Sequence, residues 1–173
     1  MEFKCDIART FVTADCHFAS WAFMLGPWKV FSQAEEEEII VNWNATVKPE
    51  DLVLYVGDFC DGGLAELMSY RQRLNGKIIL VKGNHDKFSD EIYRAVFDGV
   101  CEEMTLEDEK LLIKHWPEEN LRPDFRQIHA HLHEGAEGAW NMELDPKRYF
   151  SASVMHNGLR PVLLAEAIRK MQS

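Results

Sequence analysis

The stretch that most constrains the chain is Val81-Lys82-Gly83-Asn84-His85-Asp86. A run of β-forming residues, Ile78 to Val81, stops at Gly83, and an amide, an imidazole and a carboxylate follow at once. An apolar strand that presents polar side chains at its carboxyl end is where open α/β sheets keep their ligands. The pattern recurs. Asp15-Cys16-His17 follows Phe11-Val12-Thr13, Gly57-Asp58 follows Leu52 to Val56, and His115 follows Leu111-Leu112-Ile113-Lys114. A fifth cluster, His129-Ala130-His131-Leu132-His133, lies beyond them.

Each motif alone is weak, since an aspartate after a strand is usually a turn former and a single histidine usually a satisfied polar residue. Concentration changes the reading. Of 7 histidines, all but His156 fall at these positions: His17, His85, His115, His129, His131 and His133. Imidazole, carboxylate and amide oxygen, with no thiolate required, suit manganese, iron, zinc, cobalt or nickel. Two aspartates on adjacent strand ends can supply one bridging and one terminal oxygen. Two cations about 3.5–4 Å apart clamp the attacking and leaving oxygens in phosphoryl hydrolysis and bring the pKa of water towards ~7.

Composition limits the alternatives. At 173 residues the chain is expected to form one domain spanning its whole length, and 46% hydrophobic residues fit a globular core. No apolar run reaches the ~20 residues of a membrane span. Met1 to Asp6 lacks a signal peptide's layout, so a cytoplasmic protein without membrane partners is expected. The four cysteines form no CxxC pair, and Cys16 and Cys60 read as small buried hydrophobes. A net charge of −10 argues against stable binding of duplex nucleic acid. It does not exclude a locally positive pocket, because two divalent cations among neutral histidines outweigh two carboxylates.

Along the chain, residues 7 to 14 read as a first strand and 18 to 31 as an aromatic-rich loop. Ser32-Gln33-Ala34-Glu35 is a capping box, and Ile39, Trp43 and Val47 give its helix an inward stripe. Glu35 to Glu38 read as a solvated first turn favoured by the helix dipole. A strand at 52–56, a helix from Leu64 closed by Asn75-Gly76, a strand at 78–81 and a short helix at 89–97 follow. Residues 100–106 and 110–114 read as two strands joined by Glu107-Asp108-Glu109, with further strands at 125–130 and 149–155 and a loop at 134–147. Pro161 fits the first position of a terminal helix.

Asp15-x-His17, Gly57-Asp58, Gly83-Asn84-His85-Asp86, His115-x-Pro117 and His131-x-His133 together resemble the five signatures of the calcineurin-like metallophosphoesterases, in the same order. The likeness is closest to the small single-domain branch of bacteria and phages. Val47-Lys48-Pro49-Glu50-Asp51, Leu74-Asn75-Gly76-Lys77 and Arg160-Pro161-Val162 support that branch. The resemblance implies an α/β (α+β) fold, a four-layer αββα sandwich of two mixed sheets flanked by helices. It also implies that Asp15, His17 and His133 hold one metal, Asn84, His115 and His131 a second, and that Asp58 bridges them. His85 would act as general acid or as donor to a phosphate oxygen. Asp86 would orient His85 or cap the next segment. His129 reads as a buried strand residue or a donor behind the ligands, and His156 as a turn residue or substrate contact. Two departures stand out. Ala130 occupies a position the family gives to glycine, and His17-Phe18-Ala19-Ser20 replaces the branch's His-Phe-Gly-His.

The function implied is hydrolysis of phosphate mono- or diesters, diesters foremost, by in-line attack of a metal-bridging hydroxide on a small or nucleotide-like substrate. A nuclease of short or single-stranded nucleic acid and a non-catalytic scaffold are the competing readings.

Overall fold

The structure is a computed structural model in which residues 5–23, 30–132 and 143–172 are described. The elements, in order, are β1 (Thr10–Thr13), α1 (Ser20–Phe23), α2 (Gln33–Thr46), β2 (Leu52–Tyr55), α3 (Leu64–Arg73), β3 (Lys77–Val81), α4 (Asp90–Val96) and β4 (Gly99–Cys101). Then come β5 (Glu103–Leu106), β6 (Leu111–Lys114), β7 (Arg126–His129), β8 (Tyr149–Ser151), β9 (Val162–Leu163) and α5 (Leu164–Gln172).

The strands make two mixed sheets, ordered β4-β3-β2-β1-β9 and β5-β6-β7-β8. β1 to β4 run parallel, with Val12 opposite Leu54 and Leu54 opposite Ile79, and β9 closes the first sheet antiparallel to β1. Both faces of the first sheet are covered, which explains its unbroken apolar runs. On one side Val53, Tyr55, Ile78 and Leu80 meet Ile39 and Trp43 of α2, Leu67 of α3 and Tyr93 of α4. On the other, Leu54, Val56, Ile79 and Val81 meet Leu111, Ile113 and Ile128 of the second sheet. Helix α5 contributes Leu164, Ala167, Ile168 and Met171 to this second core and packs on β1, β8 and β9. The expected arrangement, two mixed sheets with helices, is what forms. Among the described residues no helix is long and apolar enough to cross a membrane.

The capping box is present: Glu35 N–H donates to Ser32 Oγ at 3.3 Å, and Ser32 N–H to Glu35 Oε2 at 2.7 Å. Several local expectations are corrected. Glu36 is fully buried instead of solvated, because the Tyr70 hydroxyl meets its carboxylate. α3 is capped by Leu74 in an extended conformation, ahead of Asn75-Gly76. The strand read at 100–106 is two strands in different sheets, with only Glu102 between them. The strand read at 149–155 stops at Ser151, and Val154–Asn157 form a single 3-10 turn. Pro161 does not open the last helix. Val162 and Leu163 first pair with Val12 and Phe11, because the open edge of β1 offers a ladder that helix propensity alone cannot outbid. Residues 24–29 of the aromatic loop, Trp28 included, and most of the loop at 134–147 lie outside the described residues.

Candidate metal centre

The parallel strands β1, β2 and β3 end side by side, so the segments after them share one edge of the first sheet. Beyond the strands the first two of these segments stay zipped together. The amides of Asp15, His17 and Phe18 donate to the carbonyls of Gly57, Asp58 and Phe59 at 2.9–3.1 Å, and the Asp61 amide returns a bond to Phe18. From the second sheet, His115 follows β6 and His131 follows β7, with Ala130 N–H donating to His115 O at 2.9 Å. The His115 ring reaches across the seam, its Nδ1 2.8 Å from the carbonyl of Val56.

Six predicted ligands, Asp15, His17, Asp58, Asn84, His115 and His131, converge on this seam, and His85 joins them. The donor atoms of His17, Asp58 and His85 lie within 4.8 Å of one another, and so do those of Asp58, His115 and His131. Asp58 belongs to both groups. Asn84 Oδ1 stands 3.0 Å from His115 Nε2, and the Asp15 carboxylate takes the His131 amide at 3.2 Å and lies 4.0 Å from His115 Nδ1. Asp15, His17, Asp58 and His115 are essentially without solvent exposure. His133 lies outside the described residues.

Backbone geometry marks the same residues. Asp15, His17, Asp58 and His131 all have positive φ, between 43° and 67°. The left-handed region is costly for side chains with a Cβ, and such residues persist only where their surroundings over-determine them. Here the zipped loops do so. Ala130 is not among the positive-φ residues, so alanine fits at the position the family gives to glycine; the left-handed turn falls one residue later. Two glycines make room for the cluster. A Cβ on Gly83 would come within 2.2 Å of Asp58 Oδ1, and one on Gly57 within 2.4 Å of His115 Nδ1.

Asp61, which sequence reasoning passed over, ties the first group together. Its Oδ2 lies 3.0 Å from His17 Nδ1 and its Oδ1 2.7 Å from His85 Nδ1. The signal for it was present as the spacing Asp58-x-x-Asp61, but its meaning depends on how the loop folds. The orienting role expected of Asp86 therefore belongs to Asp61. Asp86 instead accepts from the amides of Asp58, Gly83 and Phe59 at 2.8–3.2 Å, clamping the two glycine-aspartate and glycine-asparagine turns together. His129 is buried, with Nδ1 donating to the Ala130 carbonyl, and His156 is exposed beside Ser151 Oγ; neither falls in the two donor groups.

The electrostatics are those of a carboxylate-rich cluster. Burial pushes Asp58 up, yet the hydrogen bond and charge of His115, then the charge of His17, hold it at about 2. Burial likewise works against Asp61, but its bonds to His17 and His85 keep it well below the usual carboxylate range. His17 and His115 are raised against the pull of burial, His17 by Asp61 and His115, to about 9, by Asp58. Asp86 is raised to about 6 by burial and by the charge of Asp58. Buried carboxylates at this density attract protons or cations. The donor set of imidazole nitrogens and carboxylate oxygens, with one carboxylate common to both groups, fits a pair of divalent cations.

Known proteins agree with this description. The family model for calcineurin-like phosphoesterases matches residues 8–142. An uncharacterized protein of Methanocaldococcus jannaschii, MJ1445, is 26% identical over 134 residues, which cover 74% of this chain and 71% of that protein. The crystal structure of AQ665 from Aquifex aeolicus, a protein of unknown function, superposes with a TM-score of 0.67 at 24% identity. It covers 92% of this chain and 97% of its own, and at that identity it speaks for the fold alone. With the match spanning most of the chain and the strand-end motifs gathered at one seam, the protein belongs to the calcineurin-like phosphoesterase family.

Proposed function

We propose that the protein hydrolyses small or nucleotide-like phosphate esters, diesters foremost, at a pair of divalent cations, manganese in the first instance. The observation that carries this reading is Asp58, the one side chain common to both donor groups. Asp15, His17, Asp58 and His133 would hold one cation and Asp58, Asn84, His115 and His131 the other. When bound, such cations neutralise phosphate oxygens and make water a competent nucleophile near neutral pH.

The chain's own residues do the rest. Asp58 and Asp15 supply oxygen donors without exposure to bulk water, where electrostatic interactions are least screened. Asp61 fixes the His85 ring through Nδ1, which leaves Nε2 as the nitrogen that holds a proton for the departing oxygen. Asp86 keeps the two turns in register, with His85 and the Asp58 carboxylate in one donor group. A net charge of −10 favours a compact phosphate ester over a long polyanion.

The test is a panel of mono-, di- and cyclic-nucleotide phosphates and chromogenic esters with several divalent ions. Turnover with manganese that is lost in Asp58→Asn supports the mechanism, and equal turnover in that variant refutes it. Activity that grows with oligonucleotide length and falls with salt favours the nuclease reading. A protein that binds no divalent ion at neutral pH returns the scaffold reading.

A further inference from the structure

Glu36 is a carboxylate with no solvent exposure, on a helix whose neighbouring acids are solvated, and the hydrolytic chemistry above makes no use of it. Burying an ionisable group is costly unless its partners repay it. Its partners converge from one place. Tyr70 donates its hydroxyl to Glu36 Oε2 at 2.5 Å, and the Ala19 and Ser20 backbone and the Trp21 side chain partly offset the burial of its charge. Glu36 Oε1 falls short of a full hydrogen bond.

Ala19, Ser20 and Trp21 belong to the turn that leaves His17. Ala19 is left-handed at φ 65° although it carries a Cβ, and His17 itself stands at φ 43°. The turn is closed by Ser20 N–H donating to His17 O at 3.0 Å and Ala22 N–H to Ala19 O at 3.0 Å. Ser20, where the family branch has histidine, is buried and turned back to accept from Phe31 N–H at 3.2 Å. Tyr70 ties Glu36 to the turn, since its ring stacks on Phe18 with centroids 4.7 Å apart and planes 14° from parallel.

We propose that Glu36, with Tyr70, is a positioning residue. Its carboxylate holds the Tyr70 hydroxyl, and with it the ring stacked on Phe18, against the turn, keeps Ala19 left-handed, and so fixes the direction in which His17 points into the donor group it shares with Asp58 and His85. Glycine at position 19 would take that backbone freely; alanine needs a clamp. The proposal rests on the two-cation reading for its consequence, but the placement of His17 can be tested without any metal.

The primary measurement is the imidazole proton–nitrogen spectrum of the metal-free protein. Glu36→Gln should shift the His17 ring signals and leave those of His115 in place, and Ala19→Gly in the same background should return them towards the wild type. In a cobalt titration, Glu36→Gln should weaken one of two binding steps by about tenfold, the scale of a lost support behind a ligand. His17 signals and both cobalt steps that match the wild type would overturn the proposal, whatever the variant's melting temperature. A double variant with His17 displaced as far as in Glu36→Gln alone would overturn the turn as the route. Should Glu36→Gln fail to fold, Tyr70→Phe is read the same way, with a smaller shift of the same signals expected and no shift overturning the idea. A wild-type protein that takes up no cobalt would sink the two-cation reading and leave the imidazole spectra to decide on Glu36.

Discussion

The two halves of the centre are supported in opposite ways. The half made by His17, Asp58 and His85 is held by charge, with the Asp61 carboxylate on both Nδ1 atoms. In the half made by Asp58, His115 and His131 the groups that meet the rings are mostly neutral, with the Asp15 carboxylate taking the His131 backbone amide. The Val56 carbonyl meets His115 Nδ1, Asn84 meets its Nε2, and the Trp116 ring lies 3.7 Å from that of His131. A carboxylate raises the basicity of the imidazoles it contacts, whereas a carbonyl and an aromatic face fix orientation with little change of charge. The halves should therefore respond differently to removal of a support.

Gly83→Ala should have the largest effect because it strikes the shared element. The added Cβ would meet Asp58 Oδ1 and the Asp58 amide, at 2.2 and 2.7 Å. Both cobalt steps should be lost together, with a folding cost of about 1–3 kcal/mol from overpacking. A variant that keeps either step would show that the halves do not depend on Asp58 in common.

Acid should then separate the halves. His129, buried behind the neutral half, is pushed down to about 4 by burial, with smaller contributions from the charges of His156 and His115. Its folded value lies below its unfolded one, so its contribution to stability is complete above about pH 6.5 and is lost as pH falls towards 4. The loss reaches roughly 3 kcal/mol at the acid limit. Urea midpoints of the metal-free protein should fall between pH 7 and pH 5 by more in wild type than in His129→Gln. Equal falls would mean that the neutral half is not the acid-sensitive one.

Asp61→Asn should weaken one cobalt step by about 10–100-fold and spare the other, since asparagine cannot serve both imidazoles as a charged acceptor. The smallest effect is expected from Trp116→Ala. Losing one ring contact costs about 0.5–1.5 kcal/mol, or roughly two- to tenfold on the other step. If both variants weaken the same step, the division drawn here between a charged and a neutral half is wrong.

Much of this was legible in the chain. The parallel strands announce themselves because both faces are covered, so Ile78 to Val81 and Leu52 to Val56 are apolar throughout. Their polar ends point to the site for the same reason: a buried run that stops must hand its next residues to a shared edge. What stayed hidden depends on loops and on pairing between distant segments. Asp61 sits in plain view three residues after Asp58, but only the zipped loops turn its carboxylate towards two imidazoles. Glu36 looks like its solvated neighbours until Tyr70, 34 residues later, arrives above it. Glu102 separates two strands of different sheets because the chain changes layer there, and β propensity cannot register a change of layer.

The seam itself has one more consequence. Asp58 and Asn84 come from the first sheet, and His115 and His131 from the second, so any ion gripped by all four would rivet two plates that otherwise meet through hydrocarbon and a few hydrogen bonds at the seam. Uptake of the ion and cohesion of the sandwich are then one equilibrium seen from two sides. Protein starved of metal should open at this edge first, which makes cation supply a determinant of how long the molecule survives proteolysis as well as of how fast it turns over.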